Sequence, residues 1–189
     1  MSLPNFNLTE GSPVSDAFLK KDIKTFHGAV RYIHNLPYGR NKDPKNMASI
    51  IQEGVGTCST KHACLKTLAE ENEIHSIQLN LCIFSMNKKN TPGIEKVLDT
   101  YRLSYILEAH ICLSYDHERY DFTFPGVSKK SWEPDILIET TIDADQIFDY
   151  KVSYHKSILE DWIQRDNFPY SLEKVWEIRE ECIQALTNQ

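Results

Sequence analysis

An α+β fold is the class this sequence predicts, on three observations. Apolar residues recur at helical spacing near both ends of the chain. Two central segments alternate apolar and polar residues at strand spacing, and they follow one another as a hairpin with no room for a crossover helix. The expected arrangement is a cysteine-bearing helix packed on an antiparallel β-sheet, closed by two C-terminal helices.

The elements follow in order. Residues 1–14 carry Pro4, Gly11 and Pro13 among polar residues and read as an irregular arm, leaving residues 15–189 as a single domain. Ser15 or Asp16 can cap a helix, and Leu19, Ile23, Phe26, Val30 and Ile33 lie on one face of a helix running to about His34. Leu36-Pro37-Tyr38-Gly39 breaks it, and a polar loop through Lys45 leads to a short helix around Met47 to Gln52. After the turn at Gly54-Val55-Gly56, the Thr57 hydroxyl can accept an orphaned backbone N–H and start a helix through about Glu71, which puts Cys58 in its first turn.

Ile77, Leu79, Leu81 and Ile83 then alternate with polar residues or cysteine as a strand. Lys88 to Thr91 is a polar break, Ile94 to Tyr101 a short helix, and the whole stretch 87–104 either a lid or a surface excursion. Tyr105 to Ser114 is a second strand with Glu108 and His110 on one face, and Arg119 to Phe124 reads as its return strand. A loop through Gly126 and Pro134 precedes a strand from Ile136 to Ile142, and helices near Tyr154–Arg165 and Ser171–Leu186 close the chain.

The formal charge of −6 over 189 residues is spread without a basic block, which argues against a nucleic-acid partner. No apolar run approaches the roughly 18 to 20 residues that span a bilayer, and the first residues lack the regions of a signal peptide, so no membrane partner and a cytoplasmic location are expected. Five cysteines at irregular spacing argue for free thiols rather than a disulfide framework. Cys64, Cys82, Cys112 and Cys182 sit in apolar patterns and read as small hydrophobes. Cys58 does not.

A thiolate is stabilised at a helix N-terminus by the N–H groups and dipole there, so Cys58 is the candidate nucleophile. Gly54 and Gly56 remove side chains beside it, which lets a substrate carbonyl approach the backbone. His110 is an imidazole on the polar face of an apolar strand, and Asp121 lies on the return strand. Opposed residues of an antiparallel hairpin have a constant sum, and an even-length turn makes that sum odd, so His110 and Asp121 share a face. A carboxylate there can fix the imidazole tautomer, as a nucleophile, base and acid triad requires.

Gly56-Thr57-Cys58-Ser59-Thr60-Lys61-His62-Ala63 followed by Leu65 resembles the cysteine-helix motif of the transglutaminase-like superfamily. Ala109-His110-Ile111 and Tyr120-Asp121-Phe122-Thr123 resemble its histidine and aspartate strand motifs, in the same order. The resemblance covers roughly residues 30 to 125 and implies a core similar to papain-like cysteine proteases. It further implies a thiol-dependent acyl-transfer enzyme that forms a thioester at Cys58, with His110 as general base and acid and Asp121 as its orienter. Hydrolysis of an amide or peptide bond in a peptide, protein or small amide substrate is the leading expectation. An amine acyltransferase using the same triad, or a non-catalytic protein-binding module, are the alternatives.

The sequence departs from that pattern in places. Transglutaminases proper commonly place a tryptophan upstream of the cysteine, whereas Trp132, Trp162 and Trp176 all lie downstream. The backbone N–H of Cys58 is the first oxyanion candidate; Gln52, six residues upstream, is the second or else an exposed helix-end residue. No spaced-carboxylate calcium loop is visible, and neither a metal nor another cofactor is expected. His62 is a less favoured base, because its helix face continues into Leu65 and Leu68. A metal site from Cys58, His62, His110 and Cys112 lacks any CxxC or HxxxH pair. The loop with Arg40, Lys42, Asp43 and Lys45 reads as solvated or as lining a substrate entrance.

Overall fold

A computed structural model describes residues 3–126 and 130–187, so Met1 and Ser2 of the expected arm and residues 127–129 of the expected loop after Gly126 lie outside the described residues. The chain is mixed α+β, with a four-stranded antiparallel sheet in the order β3-β2-β1-β4 and seven α-helices among the described residues. It forms two compact units. The first comprises Met1–Leu81, Ile111–Lys129 and Thr141–Ile147, and the second Cys82–His110, Lys130–Thr140 and Phe148–Gln189. No helix of the described residues is long and apolar enough to cross a membrane.

In the first unit, the single helix expected from residue 15 to His34 is two helices, α1 (Pro13–Leu19) and α2 (Phe26–Asn35). The reason is local. Asp22 adopts the left-handed conformation at φ 60°, and extended Thr25 caps α2 by accepting the Gly28 N–H. Phe18 and Phe26 are buried, while Leu19 and Ile23 are half-buried, so the periodicity that ran through the break was partly coincidental. Helix α1 begins with Pro13 at its first position, inside the segment expected to be irregular. The rest of that arm is tied down, because Leu8 N–H donates to Lys24 O at 2.9 Å and Phe26 N–H to Phe6 O at 3.0 Å.

Helix α3 (Ser49–Glu53) ends at Gly54, whose φ of 69° is the left-handed cap that favours glycine. Helix α4 (Cys58–Glu71) starts where Thr57 predicts. Thr57 is extended, its hydroxyl accepts the Thr60 N–H, and the Thr60 hydroxyl accepts the Thr57 N–H, a reciprocal cap worth about 1 kcal/mol. Helix α4 packs against α1, α2, α3 and the 3-10 turn Ala144–Ile147. Its early residues are buried all round, Ser59, Thr60, Lys61, His62 and Lys66 included. At the other end, the Glu71 carboxylate accepts the N–H groups of Val14 and Ser15 and so caps α1.

Strand β1 (Gln78–Asn87) is buried on both faces over most of its length, and β2 (Tyr105–Tyr115) likewise. The division between the two units falls within β1, β2 and β4. A two-residue turn, Asp116-His117, with both φ values positive, joins β2 to β3 (Glu118–Tyr120). The register pairs Leu113 with Tyr120, Ser114 with Arg119 and Tyr115 with Glu118. The turn is therefore of even length, and Asp121 lies one residue beyond the last paired position, Tyr120. The return strand is shorter than the expected Arg119 to Phe124, because residues after Tyr120 leave the ladder for side chains of α4.

Strand β4 spans Ile136–Ile142, and in the second unit α5 (Glu95–Thr100) and α6 (Asp149–Arg165) both pack on α7 (Leu172–Leu186). Arg179 of α7 forms a bidentate pair with Glu108 of β2, donating through Nε at 2.7 Å and Nη2 at 2.6 Å. Both groups are buried. Burial alone pushes the Glu108 carboxyl up, but the Arg179 charge and hydrogen bonds outweigh it and hold the group at about 2. The 87–104 stretch makes side-chain contacts within this unit: Lys88 pairs with Asp99, Asn90 donates to Asp135 at 2.7 Å, and the Tyr101 hydroxyl donates to Glu181 at 2.7 Å.

Candidate active site

Cys58 is the first residue of α4 and is buried, at 7 % exposure. The Thr57 carbonyl accepts the Lys61 N–H at 3.0 Å and the Thr57 hydroxyl accepts the Thr60 N–H, so the N–H groups of Cys58 and Ser59 head the helix. All five cysteines are free thiols. Burial pushes the Cys64 thiol far up and that of Cys182 up to about 12, which keeps both inert and fits the reading of them as packing residues.

Asp121 follows directly after β3. Its Oδ1 accepts the Thr123 N–H at 3.0 Å and the Thr123 hydroxyl at 2.5 Å, a local turn that aims the carboxylate. Two neighbours in α4 hold this segment. Phe122 N–H donates to His62 Nε2 at 2.8 Å, and Lys61 Nζ donates to Thr123 O at 2.8 Å. Lys61 also donates to Leu36 O at 2.5 Å, at the end of α2, and His34 Nε2 lies 2.9 Å from Phe124 O. Cys58 and Asp121 thus belong to one unit, joined through the two residues between them on α4.

Both His62 nitrogens are committed. Because Nε2 accepts from Phe122, Nδ1 carries the proton and donates to Cys58 O at 2.7 Å. Asp121 Oδ1 is 3.7 Å from Nε2, beyond hydrogen-bond reach. With the ring fully buried, His62 is a fixed bridge and not a base, and the same commitment removes it from the metal-ligand set with Cys58, His110 and Cys112. Among the described residues no group of three or more His, Cys, Asp or Glu side chains is placed to hold a metal.

Lys61 is the residue sequence reasoning missed. It is wholly buried, and burial lowers its ammonium to about 8 against the opposing pull of Asp121 and then Cys58. The space for its stem is built in. A Cβ on Gly56 would lie 2.9 Å from Lys61 Cγ and 2.5 Å from Ile50 Cδ1. A lysine between Thr60 and His62 reads as solvated by type alone; the only hint in the sequence is that the neighbouring helix positions lack a charged outer face.

His110 belongs to the second unit, on β2, and is buried at 8 % exposure. The Trp132 ring packs on it at 4.5 Å between centroids, and Phe84 meets it edge-on at 6.2 Å. Gln52 is exposed on α3. His155 is buried against α7, and burial lowers its imidazole to about 4, opposed in part by Glu108.

No family model matches this chain, and neither the curated proteins nor the solved structures contain a match.

Proposed function

We propose that the chain is a thiol-dependent acyl-transfer enzyme of transglutaminase-like type, with its cysteine helix packed on the sheet as in papain-like cores, that hydrolyses an amide or peptide bond. The observation that carries this reading is the placement of Cys58 at the head of a capped, buried helix whose next turn grips the Asp121 segment. A purely structural helix has no need to begin with a thiol or to bury a lysine and a histidine behind it. His110 enters from the order of the motifs in the sequence.

In this reading the Cys58 thiolate attacks the substrate carbonyl carbon, and its π electrons move to oxygen as the C–S bond forms. The Cys58 backbone N–H is the oxyanion donor. Collapse expels the amine, which takes a proton from the His110 imidazolium. Water then loses a proton to His110, adds to the thioester carbonyl, and releases the acid and the Cys58 thiolate. The resemblance gives Asp121 the role of orienting the imidazole. The substrate is a peptide, protein or small amide, and a cytoplasmic location accompanies the free thiols.

The test is selective alkylation. A low concentration of iodoacetamide near neutral pH, followed by peptide mass mapping, labels Cys58 ahead of the other four thiols, and His110→Ala removes that selectivity. Uniform slow labelling of all five thiols would point to a non-catalytic binding module instead.

A further inference from the structure

We propose that Lys61 is the positioning residue of this site, pinning the Asp121 segment to the first turn of α4 and serving as a buried counter-charge for Cys58. The inference deepens the thiol-enzyme reading and rests on it. Three independent features support it. Lys61 Nζ bonds two carbonyls from separate segments, Leu36 at the end of α2 and Thr123 after β3. Thr123 is also the residue whose N–H and hydroxyl aim the Asp121 carboxylate, so one residue receives the lysine and orients the acid. Gly56 leaves room for the lysine stem, where a Cβ would force it aside.

An ammonium without anionic company is costly to bury, and neutral carbonyls do not repay the charge. Cys58 lies three residues before Lys61, one turn away on α4, and the carbonyl that Lys61 grips belongs to Thr123, whose N–H bonds Asp121; these are the two groups that oppose the lowering of its ammonium. The attraction is mutual, so a protonated Lys61 favours a thiolate at Cys58. Helix α2 presents the Leu36 carbonyl and, at Phe124, the His34 ring; α4 presents His62, bonded to Phe122; α3 presents Ile50. Glu53 of α3 is taken up by the N–H groups of Lys42 and Asp43 and by Asn41.

The lysine proton is lost near pH 8. A neutral amine keeps two N–H groups for its two carbonyls, so this step removes the charge while leaving the segment attached. A structural lysine and a counter-charge therefore differ in their pH signature.

The experiment measures the alkylation rate of Cys58 by iodoacetamide against pH for wild type, Lys61→Gln and Lys61→Arg, with circular dichroism to verify folding. At pH 7 the Lys61→Gln rate is expected to fall roughly three- to tenfold, the range for losing one nearby opposite charge. By about pH 9.5 wild type and Lys61→Gln converge, because Lys61 is then neutral, whereas Lys61→Arg keeps its charge and stays the faster. An unchanged rate, or one lowered by the same factor at every pH, overturns the proposal. If Lys61→Gln fails to fold, NMR titration of the Lys61 side chain decides. Its midpoint must fall in Asp121→Asn and in Cys58→Ala, and an unmoved midpoint overturns the proposal. A parallel acyl-adduct assay on wild type keeps the two ideas apart: alkylation that follows Lys61 without any adduct sinks the enzyme reading alone, and an adduct whose thiol ignores Lys61 sinks the counter-charge alone.

Discussion

The His62 ring accepts the Phe122 N–H at 2.8 Å and, through its other nitrogen, donates to the Cys58 carbonyl at 2.7 Å. One buried side chain thereby connects the peptide of the candidate nucleophile to the residue after the candidate acid. Replacing it with alanine leaves the buried Phe122 N–H without a partner, at about 1–3 kcal/mol before the cavity is counted, and removes the side-chain bond to the Cys58 carbonyl. His62→Ala is expected to lower the midpoint of urea unfolding clearly. His62→Gln, whose amide offers one donor and one acceptor, recovers part of that loss.

Gly56 faces a steric prohibition rather than a conformational one. An added methyl meets Ile50 and Lys61 inside van der Waals distance, with the side chains of a packed helix start behind them. Gly56→Ala is expected to cost about 1–3 kcal/mol of stability and to slow Cys58 alkylation, since Lys61 must shift. Gly54→Ala serves as the comparison, because it acts through the left-handed φ of 69° and no contact lies within 4 Å of its Cβ. Thermal melts of both variants, with alkylation rates beside them, check the distinction.

Helix α4 was legible from Thr57 because capping is a local contest between a hydroxyl and an orphaned N–H. The hairpin from β2 into β3 was legible because two strand-like runs flank a short polar turn. The break between α1 and α2 was not. Leu19, Ile23 and Phe26 continue the helical spacing, and the deciding features are the left-handed Asp22 and the tie from Phe26 to the N-terminal arm. The early end of β3 and the burial of Lys61 share one cause that no local pattern carries. Backbone groups 60 or more residues away in sequence compete for the side chains of α4.

Two buried groups in the second unit set an acid limit on stability. Glu108 drops from 4.5 to about 2 on folding, so its contribution is complete above pH 4.5 and is lost as pH falls toward 2, on the order of 3 kcal/mol. His155 drops from 6.5 to about 4. Below pH 6.5 the unfolded chain takes up a proton that the folded chain refuses, so stability starts to decline there and levels off near 4. His155→Gln keeps a donor for Leu107 O and is expected to flatten the stability curve between those values. Arg179→Met leaves Glu108 buried and unpaired, a loss of about 3–5 kcal/mol. Urea unfolding across this pH range reads all three.

A covalent acyl intermediate at Cys58 is visible to intact-mass analysis as an acyl adduct. Wild type, Cys58→Ala and Asp121→Asn are incubated with a panel of activated peptide amides and esters, quenched in acid and weighed. At least one substrate class is expected to add a single acyl group to wild type that maps to Cys58, is absent from Cys58→Ala and accumulates far more slowly in Asp121→Asn. No adduct with any class, or one that persists in Cys58→Ala, contradicts it.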